Sequence, residues 1–191
     1  MTRVRTELVF ALTAAVGADL KPVTDALGNY LREDYGYEVV AIKLSDILAE
    51  GSLRLDTAID LASQFSRYLT LMDAGTEARR KFGDDALARI AVSRINSVRA
   101  EGQPRLATAY VIHQLKHPAE VDLLRQVYGP GFFLIGVFEG EDAREERLRA
   151  DRRIEPDKAN ELIEKDRDEA GKDHGQKSSK TFQKADVFVH A

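Results

Sequence analysis

Residues 7–20, ELVFALTAAVGADL, constrain this chain more than any other segment. Residues 8–13 form a short apolar run with no polar alternation, as a strand buried on both faces requires. Ala14, Ala15 and Gly17 then supply a small-residue turn. From residue 19 to 34 the period changes, and Leu20, Val23, Leu27, Tyr30 and Leu31 share one helical face. A doubly buried strand feeding an amphipathic helix is the opening half of a βαβ unit. It commits the chain to a parallel sheet with helices packed on it.

The rest of the chain continues that alternation. Strands are expected at 37–44, 106–115, 132–138 and 186–189, and helices at 56–72, 84–100, 118–128, 142–152, 156–169 and 177–184. Gly36 closes the first helix, Ser45 caps a short turn over 46–50, and Gly75 and Gly83 punctuate the middle of the chain. The predicted fold class is α/β: a five-stranded parallel sheet with helices on both faces, a three-layer sandwich like that of P-loop nucleoside-monophosphate kinases. One domain is expected over 1–191, with a charged, lid-like helical region at about 139–174. Ligands of such sheets bind at the carboxyl ends of the strands. That rule brings residues 13–19, 43–46, 114–120 and 139–142 to one mouth.

The turn after the first strand has the layout of a phosphate-binding P-loop without its cation. The pattern G-x-x-x-x-G-K-[ST] cradles phosphates on backbone N–H groups, reaches them with Lys and holds Mg²⁺ with a hydroxyl. Here Leu12 stands at the first Gly position, Gly17 keeps the second, Ala18 replaces Lys and Asp19 replaces the hydroxyl residue. The candidate nucleotide- or phosphate-binding residues are Ala15, Val16, Gly17, Ala18 and Asp19, with Lys116 as a helper from the mouth. Two readings of the turn stand side by side. In one it is a weak or vestigial nucleotide site, where Asp19 would need Mg²⁺ between itself and a phosphate. In the other it is a structural turn, with Asp19 as a helix cap.

Three further clusters bear on function. In Lys116-His117-Pro118-Ala119-Glu120, Lys116 could meet phosphate and Glu120 could pair with Lys116; otherwise the segment is a helix start with a surface histidine. Residues 139–174 hold 14 acidic and 9 basic residues, the composition of a solvated face or of a lid. As a lid, Arg144 and Arg147 would fork onto phosphate oxygens; as a solvated helix the arginines would pair with Glu141, Glu145, Glu146 and Asp151. Arg79-Arg80-Lys81 is a basic cluster suited to a partner contact. His113 and His117 have an i, i+4 spacing, but they fall on a strand and its turn, so no metal site is predicted.

Composition removes other classes. With no cysteine, the chain holds no disulfide, no Cys-ligated zinc and no thiol nucleophile. A net charge of −4 does not favour nucleic acid as the main partner, and no apolar stretch approaches the 18 residues of a membrane span. A reducing cytoplasm is the expected location. The sequence stops at His190-Ala191 directly after a strand, which suggests a fragment of a longer protein.

Taken together in order, these segments resemble the N-terminal domain of bacterial anti-phage deoxycytidylate (dCTP) deaminases. The resemblance runs through residues 7–12 with 16–20, 35–39 with 43–45, 116–121 with 128–129, 132–137, 161–166, 175–176 and 185–189, nearly the whole chain. It implies a P-loop-kinase-like region joined to a zinc deaminase. That deaminase domain uses H-x-E and P-C-x-x-C motifs to activate water on zinc. Neither motif occurs here, so zinc belongs only to the absent deaminase domain and this chain would not deaminate by itself. What remains is a nucleotide-binding or regulatory domain, with nucleotide and Mg²⁺ as the only expected ligands. Its expected partners are a weakly held nucleotide and a second copy or the deaminase domain, with an RNA or protein regulator as a further candidate and no membrane. An atypical deoxynucleoside-monophosphate kinase and a protein- or RNA-binding module are the alternatives.

Overall fold

The computed structural model describes residues 5–51, 53–99, 102–150, 152–168, 171 and 173–191. Expectations that touch residues 1–4, 100, 151 and 169 therefore lie outside the described residues. Five strands, β1 (Leu8–Thr13), β2 (Glu38–Lys43), β3 (Thr108–His113), β4 (Phe132–Phe138) and β5 (Val187–His190), form one sheet in the order β2-β3-β1-β4-β5. Every pairing is parallel, with Leu8 opposite Ala109, Leu12 opposite Ile135 and Lys43 opposite His113. The expected α/β sheet with helices on both faces is what forms.

Helices occupy both faces because the central strands β1, β3 and β4 are apolar on both. Val9 and Ala11 of β1 join Leu87, Ala91 and Ile95 of α4 (Ala86–Val98) and Val121 and Leu124 of α5 (Pro118–Tyr128) in the largest core. On the opposite face Leu12, Val111 and Ile135 meet Leu20, Val23 and Leu27 at and within α1 (Lys21–Glu33). A third cluster lies off the sheet. In it Leu148 of α6 (Glu141–Ala150) and Leu162 and Ile163 of α7 (Pro156–Asp168) pack on Val16 and on Met72 of α3 (Gln64–Phe82). The charged region is thus docked against the turn after β1 by its own small apolar core.

Two element boundaries depart from expectation for local reasons. The helix expected at 56–72 begins at Gln64, where the Ser63 side chain accepts from the Ser66 N–H at 3.0 Å, and runs on to Phe82. Residues 56 and 57 are drawn out of it because their N–H groups donate to the Glu77 carboxylate at 2.8 and 2.9 Å. Gly75 lies inside this helix, and Gly83 (φ 103°) ends it. β3 is shorter than 106–115 because Ala107 (φ 53°) and Gln114 (φ 63°) turn left-handed at its two ends. The short helix α2 (Leu44–Ala49) starts one residue before Ser45, which therefore does not cap it. The short α8 (Ser178–Phe182) precedes β5, and its Phe182 ring lies 5.0 Å from that of Phe188.

Candidate functional site

β1 delivers the turn to the carboxyl end of the sheet, and the turn's polar backbone meets side chains from far along the chain. The Val16 N–H donates to Asp166 at 3.0 Å and the Asp19 N–H to Glu139 at 2.9 Å. The Ala18 N–H turns inward to the Ala15 carbonyl at 3.3 Å. The carbonyls are gripped in the same way: Arg144 donates to Val16 O at 2.9 Å and Arg147 to Gly17 O at 3.2 Å. Arg147 also pairs with Glu139 and lies 4.0 Å from Asp19. Carboxylates thus stand where a P-loop would hold phosphate oxygens.

Gly17 is required here twice over. Its φ is +83°, and a Cβ would stand 2.9 Å from the Arg144 carbonyl. α6 therefore lies directly on the turn. Arg144 and Arg147 clamp the turn itself, and Arg144 is buried instead of solvated. The solvated-helix expectation holds at Arg149, which reaches Glu145 at 3.5 Å. Asp19 is not the helix cap expected of it: the N-cap of α1 is Leu20, with no side-chain cap, and the Asp19 carboxylate accepts from the Lys21 N–H at 3.0 Å one residue before it.

Behind the turn, Lys116 is buried and donates to the Ala14 carbonyl at 2.8 Å and to Asp166 at 3.2 Å. Asp166 accepts from Ser178 as well, at 3.1 Å. Burial pushes the Asp166 carboxyl up, but Lys116, the Val16 N–H and Ser178 outweigh it and hold the group below the usual carboxylate range. The expected Lys116–Glu120 side-chain pair does not form. Glu120 instead accepts the backbone N–H groups of Lys116 (2.9 Å) and His117 (3.0 Å) in a capping box and binds Arg79 through Nε (2.9 Å) and Nη2 (2.8 Å). His117 is buried, its Nδ1 accepting from the Ala119 N–H, so it is no surface residue.

Arg79 corrects the partner-contact expectation for residues 79–81. It is 1% exposed, and Lys81 pairs with Glu77 and Asp56. At the mouth lies a cleft of about 630 Å³, of which residues 16–19 of the turn form one wall. Its sheet wall carries Lys43 and His113, which are register partners at the ends of β2 and β3. Arg67, Tyr68, Gly75 and Arg79 line it from α3, and Lys116 and Arg152 close it toward the turn. Burial, with Lys43 alongside, lowers the pKa of His113, so it stands as a neutral imidazole near pH 7. Residues 16–19, 43, 114 and 116 were placed at the mouth by the strand-end rule, and Arg152 belongs to the arginine-rich stretch read as a lid; Arg67 carried no sequence signal. Among the described residues, no group of three or more His, Asp and Glu could hold a metal ion, and no helix is long and apolar enough to cross a membrane.

No protein-family model matches the chain, and no curated protein does. Solved structures do resemble it in shape. Shikimate kinase from Bacteroides thetaiotaomicron aligns at 13% identity with a TM-score of 0.47, covering 96% of this chain and 86% of the other. A gluconokinase from Sinorhizobium meliloti aligns at 14% identity and 0.42, covering 84% and 75%. Dephospho-CoA kinase from Campylobacter jejuni aligns at 13% and 0.40, covering 97% and 88%. These neighbours are kinases by name, and at such scores the likeness goes no further than general shape.

Proposed function

We propose that this chain is a nucleotide-binding regulatory domain of P-loop-kinase-like architecture, the non-catalytic part of a deoxycytidylate-deaminase-type anti-phage defence protein. The observation that supports it is the contrast within one sheet mouth. The turn that would drive phosphoryl transfer lacks Lys and has its Val16 and Asp19 amides engaged by Asp166 and Glu139, while the cleft it helps to line carries the cations Lys43, Arg67, Arg79, Lys116 and Arg152 against the carboxylates of Asp19 and Asp25. In a chain of net charge −4, so many cations on one cleft favour a small anionic ligand. Phosphoryl transfer depends on positioning and cation stabilisation at the transferred group, which the turn does not supply. The ordered resemblance set out above supports the deaminase association. Zinc chemistry, on this reading, is carried by a deaminase domain and not by these residues.

Isothermal titration with nucleoside mono- and triphosphates, with and without Mg²⁺, tests the reading. Binding in the micromolar to millimolar range is expected, roughly 4–8 kcal/mol, with no ADP formed from ATP. Steady ADP production in the presence of a deoxynucleotide would establish a kinase instead. Absence of any binding heat at millimolar nucleotide would remove the ligand altogether.

A further inference from the structure

The two edges of the sheet are finished differently. At one edge, β2 carries charge at both ends: Glu38 pairs with Arg105 at 2.7 Å, and Lys43 is exposed at its close. Charged side chains of this kind keep a free edge from pairing with another chain. At the other edge, β5 reads Val-Phe-Val-His, with no Lys, Arg, Asp, Glu or Pro. Its register with β4 runs unbroken over four residue pairs, so no bulge turns it aside. Among the described residues β4 is its one neighbour in the sheet, so the backbone groups on its outer side have no ladder partner.

The bare edge is apolar on both faces. Register with Ile135 puts Val187 on the α1 face, where Val189 packs against the same cluster. Phe188 falls on the opposite face beside Gly136, its ring 5.0 Å from that of Phe182 in α8, and Phe138 follows there with its ring 5.6 Å from His190. Val187, Phe188 and Phe138 are 50%, 56% and 54% exposed. Together they offer roughly 250–300 Å² of apolar area, against about 800 Å² per partner in a standard interface. That area fits a weak, reversible contact and not an obligate one.

We propose that β5 is a homodimerisation edge, at which two copies of this chain pair β5 with β5 in antiparallel register about a two-fold axis at Phe188 and join their sheets into one. A two-fold axis perpendicular to the sheet runs the two strands antiparallel, keeps like faces together and closes the contact, so no fibre grows from it. Centring on Phe188 sets Val187 opposite Val189 of the second copy and Phe188 opposite its own counterpart, which pairs apolar with apolar on each face. At the ends of the joint His190 falls opposite Asp186, so no like charges meet. A foreign strand would need the same two-faced apolar pattern; this chain supplies it itself. The cleft is walled by β2 and β3, away from β5, so the dimer stands or falls independently of the nucleotide-binding reading.

The test is sedimentation equilibrium of the whole chain from about 1 μM to about 1 mM, with amide exchange of residues 187–190 followed at both ends of that range. A monomer–dimer equilibrium is expected, with exchange in β5 slowing as the dimer fills. Val187→Lys installs the guard that β2 has, at a half-exposed position, and is expected to weaken the dimer by roughly tenfold or more. Val127→Lys, which charges an exposed apolar position on α5, should leave it unchanged, with thermal melts verifying that both variants fold. A chain that stays monomeric throughout, or one that grows into open-ended oligomers, overturns the proposal. So does a dimer that survives Val187→Lys with no concentration-dependent protection in β5, since its interface then lies elsewhere.

Discussion

Two neighbouring regions at the mouth of one sheet handle polar groups in opposite ways. In the turn after β1, the Val16 and Asp19 amides meet carboxylates and the Val16 and Gly17 carbonyls meet guanidiniums, all from residues 139–166. In the cleft beside it, Arg79 Nη1 and His113 Nε2 are buried without a partner among the described residues. Lys116 links the two, lining the cleft while its Nζ serves Ala14 and Asp166. The difference separates architecture from ligand. A satisfied polar network rigidifies the place it occupies, whereas an unsatisfied buried group carries a desolvation cost of about 1–3 kcal/mol that a bound acceptor relieves. The turn's Val16 and Asp19 amides and its Val16 and Gly17 carbonyls are engaged from residues 139–166, while among the described residues buried side-chain atoms without a partner occur on both sides, at Thr13 Oγ1 and Arg144 Nε by the turn and at Arg79 Nη1 and His113 Nε2 in the cleft.

That comparison breaks most visibly at Asp166. Asp166→Ala removes the acceptor for the Val16 N–H and leaves Lys116 buried without its counter-charge. Loss of one partner of a buried pair costs about 3–5 kcal/mol, which urea unfolding will measure; a loss below the range of a surface substitution would show that the turn is not held from α7. Next in size is Gly17→Ala, whose methyl meets both a left-handed backbone and the Arg144 carbonyl. Roughly 1–3 kcal/mol is expected from the backbone alone, and release of α6 from the turn should appear as faster amide exchange in residues 141–150.

The filled turn also predicts an acid response. The folded-state pKa of Asp166 lies below its unfolded value of about 3.9. A depressed pKa contributes stability that is full above the unfolded value and is lost as pH falls through the folded one. Wild type should therefore lose unfolding free energy more steeply than Asp166→Asn below about pH 4, and parallel curves would assign the acid lability elsewhere. The smallest effect concerns the other wall of the comparison. Ser63→Ala removes the N-cap of α3, and urea unfolding should show a loss of about 1 kcal/mol.

Much of the framework was legible from residues. Apolar runs marked the strands; in β1, β3 and β4 double-sided burial removes polar alternation, whereas the edge strands β2 and β5 stay largely exposed, and the βα alternation gave the parallel sheet. The helix at 64–82 was misplaced because its start depends on Glu77 drawing residues 56 and 57 aside, a contact 20 and 21 positions away that no local period reports. The arginines of α6 were read as solvated or as a phosphate fork because charge patterning cannot show that Leu148, Leu162 and Val16 make a core beneath them. Arg79 was taken for part of a surface cluster for the same reason: burial of a guanidinium depends on Glu120, which is 41 residues away.

By itself, the sequence determined the alternation of elements, the parallel sheet, the absence of cysteine chemistry and a turn deprived of the phosphate-reaching Lys. Those are local or compositional properties, carried by side-chain periodicity and residue identity. Only the tertiary structure decided what fills that turn and what does not fill the cleft. Both depend on long-range hydrogen bonds, Val16 to Asp166 and Arg79 to Glu120, whose partners become neighbours only once the helices have packed on the sheet.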